Sequence, residues 1–126
     1  MVTGLLDSAV LVDVLRGYQH AEDWLGEQDQ LGVTQIVWLE LLEGAQNKAA
    51  QAEAIKLLRR FALVDLTPDD MAWAVKQLSL YGFSHNVGAF DCLIASVHPR
   101  LNVPLYTRNL KHFTPIIGKL AVSPYS

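Results

Sequence analysis

Val2-Thr3-Gly4-Leu5-Leu6-Asp7-Ser8-Ala9-Val10-Leu11-Val12-Asp13-Val14-Leu15-Arg16-Gly17 is the stretch whose reading decides the fold. The apolar run from Val2 to Leu6 is short enough for a strand and is stopped by Asp7-Ser8. The next apolar positions, Val10-Leu11-Val12 with Val14-Leu15, read as a helix. Arg16-Gly17 closes it, glycine being the residue that accepts a left-handed conformation beyond a helix end. A strand that passes through one acidic residue into a helix is the first half of a strand-helix-strand unit.

The same alternation continues outward. A second helix is expected over His20 to Gln28, and Gly32-Val33-Thr34 supplies a brief second strand. Gln35 to Asn47 reads as helix, although its first half is apolar nearly all round, and Ala50 to Phe61 places Ile55, Leu58 and Phe61 at helical spacing. Leu63-Val64-Asp65-Leu66 resembles a third strand. Thr67-Pro68-Asp69-Asp70 then carries cap, first-turn proline and first-turn acids in order, predicting a helix to about Tyr81. A further helix is expected from Asn86–Gly88 to His98, ended by Pro99. Val103-Pro104-Leu105-Tyr106-Thr107 reads as a fourth strand, Asn109 to Phe113 as a short helical turn, and Leu120-Ala121-Val122 as a fifth strand. Strands separated by helices imply an α/β fold, a mostly parallel sheet of four or five strands with helices on both faces.

The 126 residues suit one domain, residues 1–126, and with 51% apolar and 18% charged residues the chain can bury a sizeable core. No apolar run approaches the ~20 residues of a membrane span and no secretory signal is evident, so a cytoplasmic location without membrane contact is expected. Cys92 is the single cysteine, and its apolar neighbours suggest a buried structural thiol. A net charge of −3 argues against a broad basic coat for nucleic acid. All 13 acidic residues lie at or before Asp91, whereas residues 92–126 carry only Arg100, Arg108, Lys111 and Lys119 as charged groups. That tail could meet a polyanion.

Parallel sheets bind ligands beyond the carboxyl ends of their strands, which directs attention to Asp7 after the first strand and Asn109 after the fourth. Each could merely cap the next helix. Glu40 lies one helical turn from Glu43, and like charges at that spacing oppose the helix unless a cation or solvent relieves them. Asp91 has Ile94 and Ala95 as its helical neighbours, which places a carboxylate on a mostly apolar face that would need a partner or a metal.

Taken together, Leu5-Leu6-Asp7-Ser8-Ala9, Leu39-Glu40-Leu41-Leu42-Glu43-Gly44, Asp91-Cys92-Leu93-Ile94-Ala95 and Leu105-Tyr106-Thr107-Arg108-Asn109-Leu110-Lys111-His112-Phe113 resemble the PIN-domain family, especially VapC-like toxins of type II toxin–antitoxin pairs. The resemblance spans nearly the whole chain. It implies a PIN-like three-layer α/β/α sandwich and a magnesium-dependent endoribonuclease, with manganese able to substitute, leaving 5′-phosphate and 3′-hydroxyl ends. By the same resemblance Asp7, Glu40, Asp91 and Asn109 form the catalytic set, with Asp7 and Asp91 as leading metal ligands and Ser8 and Thr107 in support. A cognate antitoxin and a homodimer are implied as well. Ala9 and Asn109 depart from the commoner family pattern by removing a polar contact and a negative charge.

The chemistry suits phosphodiester hydrolysis, because magnesium takes oxygen ligands and keeps several waters. One ion polarises a phosphoryl oxygen, and a second ~3.5–4 Å away would stabilise the leaving oxygen. Arg108, Lys111 and Arg100 are candidates for RNA phosphate contacts; an ordinary solvated surface is the alternative. For His112 a surface or packing role is expected, and the three tryptophans, Trp24, Trp38 and Trp73, are expected in the core or an interface. Asp13 and Glu43 are kept outside the site. Two competing readings are a PIN-fold binding module with a weakened site and a signalling receiver domain, the latter lacking here its acidic pair and late lysine.

Overall fold

In the computed structural model, which describes residues 1–126, the alternation becomes one sheet of five strands, all parallel, in the order β3-β2-β1-β4-β5. The strands are β1 (Gly4–Leu6), β2 (Leu31–Thr34), β3 (Ala62–Val64), β4 (Leu105–Tyr106) and β5 (Ala121–Val122). The helices are α1 (Ser8–Leu15), α2 (Gln19–Gly26), α3 (Gln35–Gly44), α4 (Lys48–Leu58), α5 (Pro68–Tyr81), α6 (Ala89–Ala95), α7 (Val97–Leu101) and α8 (Leu110–Ile117).

Strand order explains the layers. From β1 the chain steps one way to β2 and β3, then crosses back to β4 and β5 on the other side. Right-handed crossovers taken in opposite directions place their helices on opposite faces. Accordingly α1 packs with α2, α3 and α4, while α5, α6 and α8 pack with one another. Helix α3 also meets α6, which brings the helix of Glu40 to the helix of Asp91. The reversal falls between β1 and β4, the switch point where parallel sheets bind ligands.

Local chemistry supports each joint. Leu5 pairs with Gly32 on one side and Leu105 on the other, and all of β1 is buried. A Cβ at Gly4 would lie 2.6 Å from the Tyr106 ring, so the close approach of β1 to β4 requires glycine there. Gly17, with φ of 79°, takes the left-handed turn that follows α1. The expected cap of α5 forms as a reciprocal box, in which Asp70 N–H donates to Thr67 Oγ1 and Thr67 N–H donates to Asp70 Oδ2. The core joins both faces through residues such as Leu6, Leu11, Leu58, Ile94, Leu105 and Phe113. Trp24, Trp38 and Trp73 pack against it, and Cys92 is buried as a free thiol.

Most element ends lie one to three residues from those the sequence suggests, as for α3, which stops at Gly44 rather than Asn47, and α4, which spans Lys48–Leu58 rather than Ala50 to Phe61; two differences are larger. The helix expected to run to His98 is two helices, α6 and α7, with Ser96 between them. Pro99 sits inside the first turn of α7 rather than ending a helix, because a first-turn residue has no intrahelical N–H bond for proline to remove. The turn expected over Asn109 to Phe113 continues as α8 to Ile117 with Pro115 inside it; burial of Phe113 and Ile117 on one face outweighs the lost backbone bond.

Candidate active site

At the switch point Asp7 leaves β1 as the N-cap of α1 and is buried. Its Oδ1 accepts the Ser8 N–H at 2.8 Å, and its Oδ2 accepts the Thr107 hydroxyl at 2.8 Å across the sheet from β4. The cap alone would be bland; the buried second bond is not. Thr107 also accepts the Asn109 N–H at 2.9 Å, so one hydroxyl ties the loop after β4 to the carboxylate after β1.

Ser8 continues the network in the other direction. Its hydroxyl donates to Glu40 Oε1 at 2.9 Å and lies 3.4 Å from Asp7 Oδ1; the single proton serves the nearer oxygen. Asp91 takes the N3 position of α6, where its Oδ2 accepts the Gly88 N–H at 3.2 Å. His112 Nδ1 stands 3.1 Å from that same oxygen and 2.9 Å from the Asn109 side-chain amide. Without a proton on Nδ1 the ring accepts the Asn109 amide N–H, and with one it donates to the Asp91 carboxylate, so this single nitrogen serves one of its two neighbours at a time. The result is a continuous arc, Glu40–Ser8–Asp7–Thr107–Asn109–His112–Asp91, that contains all six of the sequence-nominated catalytic and supporting residues.

His112 is the member that sequence reasoning assigned to surface or packing. The available signal was its spacing, three residues after Asn109 on α8, which places the two on one helical face. Asp13 likewise gains partners that the sequence could not name: its Oδ2 accepts Arg108 Nη1 at 3.0 Å and the Tyr125 hydroxyl at 2.7 Å.

Burial pushes the Asp7 carboxyl up to about 6; the bonds from Thr107 and Ser8 pull it down, and the charges of Glu40 and Asp91 raise it further. Burial likewise raises Glu40, opposed by its bond from Ser8 and reinforced by Asp91 and Glu43. Carboxylates from separate stretches therefore share one field, in which Asp91 disfavours the ionisation of both Asp7 and Glu40, and Glu40 that of Asp7. Glu43 is exposed and stands outside the arc. No three acidic, histidine or cysteine side chains lie close enough together to hold a metal ion as a group. An all-oxygen set of few carboxylates fits magnesium, which retains much of its water shell, better than zinc, which prefers a closed nitrogen or sulfur site.

The three candidate phosphate contacts differ in availability. Arg100 is committed to Asp70, with Nη2 at 2.8 Å from Oδ2, and to the Asp65 carbonyl. Arg108 is held by Asp13. Lys111, exposed at the start of α8, makes no ion pair. Glu40 forms part of the wall of two open grooves, one of about 560 Å³ that includes Val12, Leu41 and Ala54, the other of about 490 Å³ lined by Ile36, Leu39, Leu42, Glu43 and Phe90.

A five-stranded parallel sheet with an acidic arc at its switch point defines the class, and residues 4–113 match the sequence model of the PIN domain. The chain belongs to the PIN-domain family. Within it the chain is VapC-like, being 33% identical over 113 residues to ribonuclease VapC10 of Mycobacterium tuberculosis, a match covering 86% of this chain and 84% of that protein. Among solved structures, a toxin–antitoxin complex from Klebsiella pneumoniae superposes with a TM-score of 0.80 at 24% identity, covering 98% of each chain. VapBC2 from Rickettsia felis, bound to a DNA fragment from its promoter, follows with a TM-score of 0.75 at 22% identity, covering 94% of this chain and 95% of that one. VapBC-1 from nontypeable Haemophilus influenzae gives 0.71 at 25% identity, covering 92% of each. These structural likenesses agree in the three-layer α/β/α architecture.

Proposed function

We propose that this protein is a magnesium-dependent endoribonuclease and the toxin of a type II toxin–antitoxin pair. The observation that carries the reading is the arc, in which oxygen-bearing side chains from four separated segments converge where β1 and β4 part. The relationship to a protein named as a ribonuclease supports the chemistry.

In this reading Asp7 and Asp91 hold the metal, and manganese can replace magnesium. Bound there, the ion would polarise a phosphoryl oxygen and lower the pKa of a coordinated water. Glu40 keeps Oε1 occupied by Ser8 and presents Oε2 to position the attacking water and receive its proton. Thr107 keeps Asp7 ionised by donating to it, and Asn109 supplies the fourth position in place of an acid. Water adds to phosphorus as the P–O bond to the 3′ oxygen breaks, and the departing oxygen takes a proton from solvent, leaving a 5′-phosphate and a 3′-hydroxyl. Lys111 is the cation free to meet the RNA backbone, outside the arc but on the helix that follows Asn109.

The antitoxin is proposed to lay an apolar segment in the grooves beside Glu40, whose walls include the exposed Leu39 and Phe90. A second copy of the chain is proposed to cover Met71, Val75 and Leu78, exposed at helical spacing on one side of α5. No helix is long and apolar enough to cross a membrane; separately, action in the cytoplasm is proposed from the relationship to a toxin-type ribonuclease.

The test is cleavage of a panel of structured RNAs in magnesium or manganese by the unmutated protein, Asp7→Asn and Asp91→Asn. Loss of cutting in both variants is expected; equal activity in all three would defeat the assignment. Expression without a partner should slow growth, and Asp7→Asn should relieve it.

A further inference from the structure

We propose that Asp13, Arg108 and Tyr125 are positioning residues that lock the loop between β4 and α8, and with it Thr107 and Asn109, onto the acidic cleft. The role assigned to the cleft rests on the nuclease reading above; the mechanical role does not.

The loop is three residues long and is gripped from two directions. Thr107 bonds to Asp7 and Asn109 to His112. Between them, Arg108 donates from Nη1 to Asp13 Oδ2 at 3.0 Å, and that oxygen also accepts the Tyr125 hydroxyl at 2.7 Å. The guanidinium carbon lies 4.8 Å from the Tyr125 ring centroid and 5.7 Å from that of Tyr18, within cation–π range of both. Tyr18 in turn donates its hydroxyl to the Ser126 carbonyl at 2.6 Å. Helix α1, the loop and the segment after β5 are thereby joined at one carboxylate oxygen.

Asp7 and Asp13 both belong to the chain's first helical unit, Asp7 as its N-cap and Asp13 in its last turn. A rigid helix thus holds the loop at two points, Thr107 through Asp7 and Arg108 through Asp13. Removing one leaves the loop free to pivot on the other. Tyr125 lies outside residues 4–113, the part that matches the PIN-domain sequence model, so this third anchor comes from outside that matched stretch. A guanidinium already paired and flanked by two rings is poorly placed to serve as a free phosphate contact, and its more probative use is mechanical.

The experiment uses the full chain with Tyr125→Phe, which keeps the ring and loses only the hydroxyl, together with Asp13→Asn, Arg108→Met and Arg108→Lys. Amide hydrogen exchange by NMR reports on Asn109, whose N–H bonds to Thr107. Exchange at Asn109 should accelerate ~5–10-fold in Tyr125→Phe and Asp13→Asn while amides of α5 stay unchanged. Manganese affinity, measured with the metal alone by electron paramagnetic resonance, should fall ~10-fold. In RNA cleavage kcat should drop with KM unchanged, with Arg108→Lys recovering part of what Arg108→Met loses. Unchanged exchange at Asn109, or acceleration spread evenly over the sheet, would overturn the proposal. So would a raised KM and a weaker salt dependence in Arg108→Met with Tyr125→Phe silent, the signature of a phosphate contact. A protein that cuts no RNA would refute the nuclease reading, and the exchange comparison would still decide the mechanical role.

Discussion

Asp7→Asn should make the metal-free protein more stable at pH 7 while abolishing cleavage. In the fold Asp7 binds its proton with a pKa of about 6 against an ordinary value of 3.8. Because the folded value is the higher, the folded state binds more protons than the unfolded chain between those pH values. Stability therefore falls as pH rises from about 4 to about 6, and the ionised group costs roughly 3 kcal/mol above that window. Asparagine removes the buried charge and its repulsion from Glu40 and Asp91. It keeps an oxygen for one of the Asp7 partners but faces the other with an N–H, a loss of about 1 kcal/mol. The net gain should be ~1–2 kcal/mol at pH 7, which for a domain of this size raises Tm by ~3–8 °C. The gain should shrink below pH 6 and be absent near pH 4. Urea denaturation in EDTA across pH 4 to 8 measures it directly. Added magnesium should then stabilise the unmutated protein, by ~2.7 kcal/mol at a hundredfold excess over Kd, and leave the variant unmoved. A variant less stable than the parent at pH 7 in EDTA would refute the reasoning, since it would mean that the Asp7 charge is stabilised by the fold.

Thr107→Val should push the Asp7 pKa higher by ~1–2, because the lost bond to an ionised group is worth ~1.5–3 kcal/mol; carboxyl carbon NMR of the metal-free protein reads it, and an unchanged value would remove Thr107 from the site. His98 is wholly buried, donates from Nδ1 to the Val103 carbonyl and leaves Nε2 without a partner. Burial pushes its pKa down to about 4 from 6.5, so its contribution is intact above pH 6.5 and is lost as pH falls through 4, opposite in sign to that of Asp7. His98→Gln should flatten that slope in acid unfolding monitored by circular dichroism. Arg100→Ala leaves the buried Asp70 with its cap bonds alone and should cost ~1–3 kcal/mol in urea midpoint, without altering kcat at a temperature where the variant is folded. Lys111→Ala should raise KM and reduce the slope of log affinity against log salt by ~0.7, the value for one phosphate contact on a single strand.

The alternation of apolar runs with helical spacing was enough to place strands and helices in order, because backbone hydrogen bonding and side-chain periodicity act over a few residues. The Asp7-Ser8 stop, the Thr67-Pro68-Asp69-Asp70 cap and the Gly17 turn are local events and were legible as such. Helix ends were less legible: Pro99 and Pro115 both lie inside helices, where position within the turn and burial of nearby faces decide the outcome.

The site divides along the same line. Strand-end position drew attention to Asp7 and Asn109 and helical spacing to Glu40 and Asp91, while the family likeness made these four one set and raised Ser8 and Thr107 beside them. Nothing local could have joined Ser8 to Glu40 or Thr107 to Asp7, separated by 32 and 100 residues. The same holds for the placement of His112 against Asp91, the capture of Arg100 by Asp70 and the seating of Arg108 between Asp13 and Tyr125. A sequence by itself determines which groups can carry charge and which segments bury themselves. Which charges share a field, and which are already spoken for, depends on distances set only when the strands pair and the helices pack over them.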